Sequence, residues 1–247
     1  MGIVFDAKVA ADYKSWQKSR QGLVISGALD SFILTLLNPK SGERVLDIGC
    51  GFGDQLLFLR KKGMNTTGVD PSPHMLDCAR ARLGQGCTLE KGYAEDLPFE
   101  DNEFDVAMLI NTLEFLDDPS AALREAARVA SKRIVVAAIN RWSPGAAGNR
   151  IKSFFGQNIY SKSRFYSLWR LKGLIKEACG TVPISWASIS GGMTFLGPAA
   201  RMMGAGAGVG QSPFGVMVGV SATLVYRFRT EPLALPVRLK SAGHTAA

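Results

Sequence analysis

Five residues in the first third of this 247-residue chain have types and spacings suited to holding a nucleoside-bearing ligand: Asp47, Gly49, Gly51, Gly53 and Asp70. The glycines, spaced by two, let the backbone take positive φ and let a ligand lie against the main chain with no Cβ in the way. Asp70, 17 residues beyond Gly53, is placed to accept hydrogen bonds from both hydroxyls of a ribose. A glycine turn plus such an acid serves a dinucleotide as well as other adenosine compounds, and spacing separates the two. The dinucleotide fingerprint sets its third glycine one place later than Gly53 and aims a helix N-terminus at a pyrophosphate. Here an acid, Asp47, stands at the strand end instead, and a carboxylate suits an ammonium group better than a phosphate.

These residues need a strand, a tight turn and a helix to position them. Val45, Leu46 and Ile48 form an apolar run long enough for one buried strand and too short for a helix. Leu56 to Leu59 start a helical pattern that Lys61, Lys62 and Gly63 end. Asn65–Asp70 reads as a second strand. Ser72 then caps a helix with Pro73 at its first position and Leu76, Ala79 and Leu83 on its inner face. A third strand begins at Leu89 and gives way to a loop ending at Phe99. Val106–Ile110 is wholly apolar, as a central parallel strand requires, and Asn111 follows at its carboxyl end, where open α/β sheets place ligands. Pro119–Val129 reads as a helix and Arg133–Ile139 as the fifth strand. The alternation specifies an α/β chain.

Over residues 43–139 this pattern resembles the class I S-adenosylmethionine-dependent methyltransferases, in their branch of small-molecule, quinone- and lipid-modifying enzymes (the methyltransferase type 11 domain). Glu43–Gln55 is similar to their motif I. Ala94, Glu95, Leu97, Pro98 and Phe99 match the loop that holds the adenine. Tyr93 stands where that loop usually has Asp, and Phe52 where motif I often has Thr, so the side-chain contact to the adenine amine departs from the family's. The resemblance implies a doubly wound, mostly parallel seven-stranded sheet. It also implies a helical N-terminal cap over 1–40, a cofactor-binding core over 41–140, a substrate-side insertion after the fifth strand with the last strands over 141–230, and a loosely ordered tail over 231–247. S-adenosylmethionine is the implied cofactor, held by Asp47, Gly49, Gly51, Gly53, Asp70, Met75, Ala94, Glu95 and Asn111, with Tyr13 on the lid. Glu114 is the acid implied nearest the transferable methyl. Glu114 and Tyr160 are the candidate catalytic groups, and Arg141 and Arg164 the candidate ligands of an anionic acceptor.

Composition narrows the classes. Four cysteines form no C-x-x-C and only two histidines exist, so a metal site is not expected and free thiols in a reducing cytoplasm are. The first eighteen residues contain acids and no apolar h-region, against a signal peptide. Net charge is +8, unevenly spread: residues 1–140 hold 16 cations against 19 acids, residues 141–247 hold 13 against 2. Such asymmetry speaks to partners more than to fold. The apolar stretch from Met202 to Val225 is divided by Gln211, Ser212 and Pro213 and is glycine-rich, which suits a final strand near 215–228, after one at 183–190, rather than a spanning helix. Helical spacing of Leu168, Leu171, Ile175 and Ala178 predicts a helix that Gly180 ends. The expected partner is a small acceptor, amphipathic or anionic (a quinone precursor or lipid), with peripheral membrane contact. An RNA methyltransferase and a non-catalytic S-adenosylmethionine-binding protein are the alternatives. No RNA-binding module and no Asn/Asp-Pro-Pro-aromatic tetrapeptide speak for the former.

Overall fold

The computed structural model describes residues 2–17, 20–143, 163–190 and 208–225. In chain order the elements are α1 (Ala7–Gln17), α2 (Arg20–Leu37), β1 (Arg44–Ile48), α3 (Asp54–Lys61), β2 (Asn65–Asp70), α4 (Pro73–Leu83), β3 (Thr88–Lys91), β4 (Phe104–Ile110), α5 (Pro119–Val129), β5 (Ala130–Ile139), α6 (Leu168–Cys179), β6 (Ile184–Ser190), β7 (Gly208–Gly210) and β8 (Met217–Thr223). The strands form one sheet in the order β3-β2-β1-β4-β5-β8-β6-β7. The first five pair in parallel, β8 runs antiparallel between β5 and β6, and β7 is antiparallel to β6. The sheet therefore has eight strands, where the resemblance implied seven. The extra one, β7, is a three-residue edge strand of Gly and Val, too short to register as a periodic pattern.

Period-two alternation sorts the central strands onto two faces. Ala107 and Leu109 of β4, with Ile134, Val136 and Ala138 of β5, pack with Leu123 and Ala126 of α5 and Leu171 and Ile175 of α6. Val106, Met108 and Ile110, with Val135 and Ala137, meet Phe32, Ile33, Leu36 and Leu37 of α2 and Leu59 of α3. So half of the N-terminal region expected to serve as a cap is a core helix: α2 covers one face of the sheet. The local signals hold. Ser72 Oγ accepts from the Met75 N–H at 3.3 Å with Pro73 in the first turn, and Gly180 closes α6 at φ 73°.

A lane of small residues lets α2 approach. Gly219 of β8 lies between Ala137 of β5 and Ala187 of β6. A Cβ at Gly219 would stand 2.4 Å from a Leu36 methyl and 2.8 Å from the Phe32 ring. Because that interior is already close-packed, Gly219→Val is expected to destabilise the fold by about 1–3 kcal/mol, read as a lowered urea midpoint with unchanged m-value. A midpoint equal to wild type would refute the tight approach.

Candidate functional site

A cleft opens at the carboxyl ends of β1, β2 and β4. Its floor is the glycine turn. Gly49, Gly51 and Gly53 all have positive φ, at 76°, 51° and 72°. A Cβ at Gly49 would fall 2.5 Å from the Thr112 methyl, and Thr112 is itself fixed because its hydroxyl donates to the Ile48 carbonyl at 2.8 Å. A Cβ at Gly51 would meet nothing within 4 Å, so that glycine presents bare backbone to the cleft.

Polar groups gather at this end. Asp70 lines the cleft and accepts the Gly51 N–H on Oδ2 at 2.9 Å and the Ser72 N–H on Oδ1 at 2.8 Å. Burial raises its carboxyl above the usual range, and those two amides oppose the rise. Asn111 sits at the end of β4 with φ 55°, a left-handed conformation that Asn tolerates better than most side chains. Its backbone N–H is committed to the Ala137 carbonyl, at 2.9 Å, while its side-chain Oδ1 is buried with no partner. Glu95 Oε1 and Asp47 Oδ2 are likewise buried and unpartnered. Asp47 lies beneath the turn rather than on the cleft wall, and burial pushes its carboxyl up to about 8, with the charges of Asp70 and Asp54 adding to the rise. No Lys, Arg or His lines the cleft among the described residues. A site with spare acceptors and no cation fits a ligand carrying an ammonium group, ribose hydroxyls and an amine; a pyrophosphate would find no counter-charge.

Beside the floor, the Tyr93–Phe99 loop is clamped from behind. Arg128 of α5 donates to the Leu97 carbonyl at 3.1 Å and the Phe99 carbonyl at 2.7 Å, and Glu125, paired with it, accepts the Leu97 N–H at 3.0 Å. Tyr93, Ala94 and Glu95 are thereby presented to the cleft. An apolar wall is built by the start of the chain. The Ile3 N–H donates to the Phe115 carbonyl at 2.9 Å, the Phe5 carbonyl accepts the Ser72 hydroxyl at 2.6 Å, and the Phe5 and Phe115 rings meet edge to face at 5.0 Å. Ile3, Val4, Phe5, Phe115 and Leu116 make up this wall.

The cleft thus gathers Gly49, Gly51, Asp70, Ala94, Glu95 and Asn111, with Asp47 and Gly53 in the turn behind them. Other expected site residues lie elsewhere. Met75 is buried with Ala10 and Phe52, joining α1 to α4 rather than covering a ligand. Glu114 does not line the cleft: it is fully buried and its Oε1 accepts the Ile139 N–H at 2.7 Å. Burial holds that carboxyl up at about 7. Arg164 is exposed, donates to the Asp117 carbonyl at 3.1 Å, and its backbone N–H bonds the Glu114 carbonyl. Arg141 is exposed beyond β5. Tyr13 falls within α1, and Tyr160 lies outside the described residues. Sequence reading missed Thr112, Arg128 and the Gly2–Phe5 strap, none of which follows a spacing rule.

An open α/β sheet with a cleft at its carboxyl ends, floored by a glycine turn and furnished with acceptors, defines a binding domain for a cationic adenosine-bearing ligand. Residues 46–136 match the methyltransferase domain family. An uncharacterized methyltransferase of Mycobacterium tuberculosis is 40% identical over 93 residues, 38% of this chain and 37% of the relative. A demethylmenaquinone methyltransferase of Corynebacterium kroppenstedtii is 37% identical over 110 residues, 43% of this chain and 47% of the relative. A S-adenosylmethionine-dependent methyltransferase of Thermotoga maritima, of known structure, superposes with a TM-score of 0.67 at 25% identity, covering 87% of this chain and 96% of that one. Over residues 46–136 the chain is thus similar to the S-adenosylmethionine-dependent methyltransferases, and its sheet superposes on one of them. It spans 37% of the length of the mycobacterial relative it matches.

Removing the ribose acid also frees the glycine turn, so Asp70→Ala is expected to weaken S-adenosylhomocysteine binding at least about tenfold, or ~1.4 kcal/mol. Equal affinity by titration calorimetry would sink that assignment. For Asp47 the sign is set by a folded pKa of about 8 against an ordinary value of 3.8. The unfolded chain releases that proton first, so the group costs stability as pH rises between those values. Asp47→Asn is therefore expected to stabilise the unliganded protein at pH 8 by on the order of 1 kcal/mol or more, read as a raised melting temperature. The gain should vanish as pH falls towards 4; a gain independent of pH would refute the assignment.

Proposed function

We propose that this chain transfers a methyl group from S-adenosylmethionine to a small amphipathic acceptor with an apolar body, a quinone precursor or lipid. The observation that carries the reading is the mixed lining of the cleft: beside the acceptor groups of Asp70, Glu95 and Asn111 stands a wall of Ile3, Val4, Phe5, Phe115 and Leu116 with no titratable side chain among them. When bound, S-adenosylmethionine supplies a methyl group made electrophilic by the sulfonium. Asp70 would hold its ribose, the Tyr93–Glu95 loop its adenine, and Asn111 Oδ1 its ammonium. The apolar wall would orient the acceptor and keep water from the methyl, and proximity and orientation of this kind contribute roughly 7–11 kcal/mol.

An acceptor whose reacting atom is already electron-rich, such as a hydroquinone ring carbon or a phenolate oxygen, needs no strong base. That agrees with Glu114 facing the β5 backbone instead of the cleft. The menaquinone-directed activity in the name of the Corynebacterium relative supports the quinone class. We place the enzyme in the cytoplasm at a membrane surface, where such acceptors reside; all four cysteines are free thiols, as a reducing compartment requires. Among the described residues no helix is long and apolar enough to cross a bilayer.

The test is formation of S-adenosylhomocysteine from labelled S-adenosylmethionine with a panel of reduced quinone precursors, phospholipids and RNA. Turnover with the first or second class is expected. Turnover with RNA alone, or binding of the cofactor with no turnover on any acceptor, would overturn the reading. Glu114→Gln is expected to retain turnover within about threefold and to leave the pH–rate profile unshifted. A loss in the 10²–10⁴ range of a general base would restore Glu114 to the chemistry.

A further inference from the structure

Large apolar side chains exposed to solvent are concentrated at one end of this molecule. Among the described residues they are Val4, Leu23, Trp142, Trp169, Phe214 and Val225. Topology assigns five of the six to the end where the cleft opens. Trp142 follows the carboxyl end of β5, and Phe214 precedes β8, which runs antiparallel to β5 and so begins at that end. Helices α2 and α6 lead into the starts of β1 and β6, so their first turns, which carry Leu23 and Trp169, lie at the cleft end too. Val4 lines the cleft itself. Only Val225, beyond the far end of β8, departs from the pattern.

Trp142 and Phe214 are held on one buried side chain. Asn140 is fully buried; its Oδ1 accepts the Trp142 N–H at 3.1 Å, and its Nδ2 donates to the Pro213 and Gly215 carbonyls, each at 2.8 Å. The polypeptide on both sides of Phe214 is thus fastened to the same amide that fixes Trp142, yet both aromatic side chains are left more than half exposed. A fixed backbone that offers two aromatics to water is an arrangement seen where an aromatic inserts at a polar–apolar boundary. Arg141 and Arg164 are exposed at this end, the Asn140–Tyr166 bridge joins their two segments, and Arg164 donates to the carbonyl of the exposed Asp117 beside it.

We propose that this rim, centred on Trp142 and Phe214 and ringed by Arg141 and Arg164, docks on an anionic phospholipid bilayer and holds the cleft mouth at its surface. The aromatics enter the headgroup boundary and the guanidinium groups pair with lipid phosphates, each cation near such a surface adding to the attraction. The surface is separate from the residues placed at the cofactor, so vesicle binding and cofactor binding fail independently of one another.

Co-sedimentation of the full chain at physiological salt with vesicles of phosphatidylcholine and phosphatidylglycerol, and with phosphatidylcholine vesicles, tests it. Wild type is expected to pellet with the anionic vesicles and to stay largely in solution with the neutral ones. Trp142→Ala/Phe214→Ala is expected to lower the bound fraction at least about fivefold while S-adenosylhomocysteine affinity, the check on folding, is unchanged. Three results would overturn the proposal: no pelleting by wild type, equal pelleting with neutral vesicles, or a double variant that pellets as wild type does.

Discussion

Carboxylates buried without a cation are the constraint on which this site depends. Asp47 and Asp70 stand within electrostatic reach of one another at the end of the two strands that flank the glycine turn, and burial raises both carboxyls. A pair of this kind is costly in a folded chain unless something offsets it. Asp70 is partly satisfied by two backbone amides, and the turn that supplies one of them exists only because Gly51 takes a positive φ. Asp47 has a buried oxygen with no partner at all. Its raised pKa is the fold's own offset, since a protonated carboxyl buries no charge, and a cationic ligand would suit the ionised pair better than a neutral one.

That constraint explains what surrounds it. Thr112 presses on Gly49 and bonds the end of β1, locking β4 against the turn. Arg128 and Glu125 hold the Leu97–Phe99 backbone from the far side of the sheet's edge. Polar residues that line the cleft are few and short; residues that fix them are drawn from α5, β4 and the chain start. A site that must present unpaired acceptors in fixed positions needs such a shell, because mobile carboxylates would turn to solvent instead of waiting for the ligand.

What was legible in the sequence follows the same division. The glycine turn, the Ser72 cap and the apolar β4 are local patterns, set by backbone conformation or by burial on both faces, and each appears where its spacing places it. Met75 was read as a ligand contact from its place in the first turn of α4, but which face of a helix meets a ligand depends on what packs on it, here Ala10 of α1 and Phe52. Glu114 was read as a candidate base from chain proximity, and the turn after β4 directs it into the sheet. The Gly2–Phe5 strap and the Arg128 clamp are contacts over long separations with no periodic trace. The count of strands failed only at β7, three residues of low strand propensity that pair because β6 leaves an open edge.

The two halves of the chain meet at Asn140, and that junction bears on how chemistry and location are coupled. One buried amide ties the end of β5 to the segment entering β8, while the backbone around it bonds Tyr166 and Val216. The same strand end holds Glu114 through the Ile139 N–H, and the Tyr166 hydroxyl donates to the Leu113 carbonyl at 3.1 Å. Leu113 and Glu114 lead directly into Phe115, which forms the apolar wall. A few short hydrogen bonds therefore tie the rim at Trp142 and Phe214 to the apolar wall of the cleft, whereas the glycine turn and Asp70 lie on the opposite side of β4.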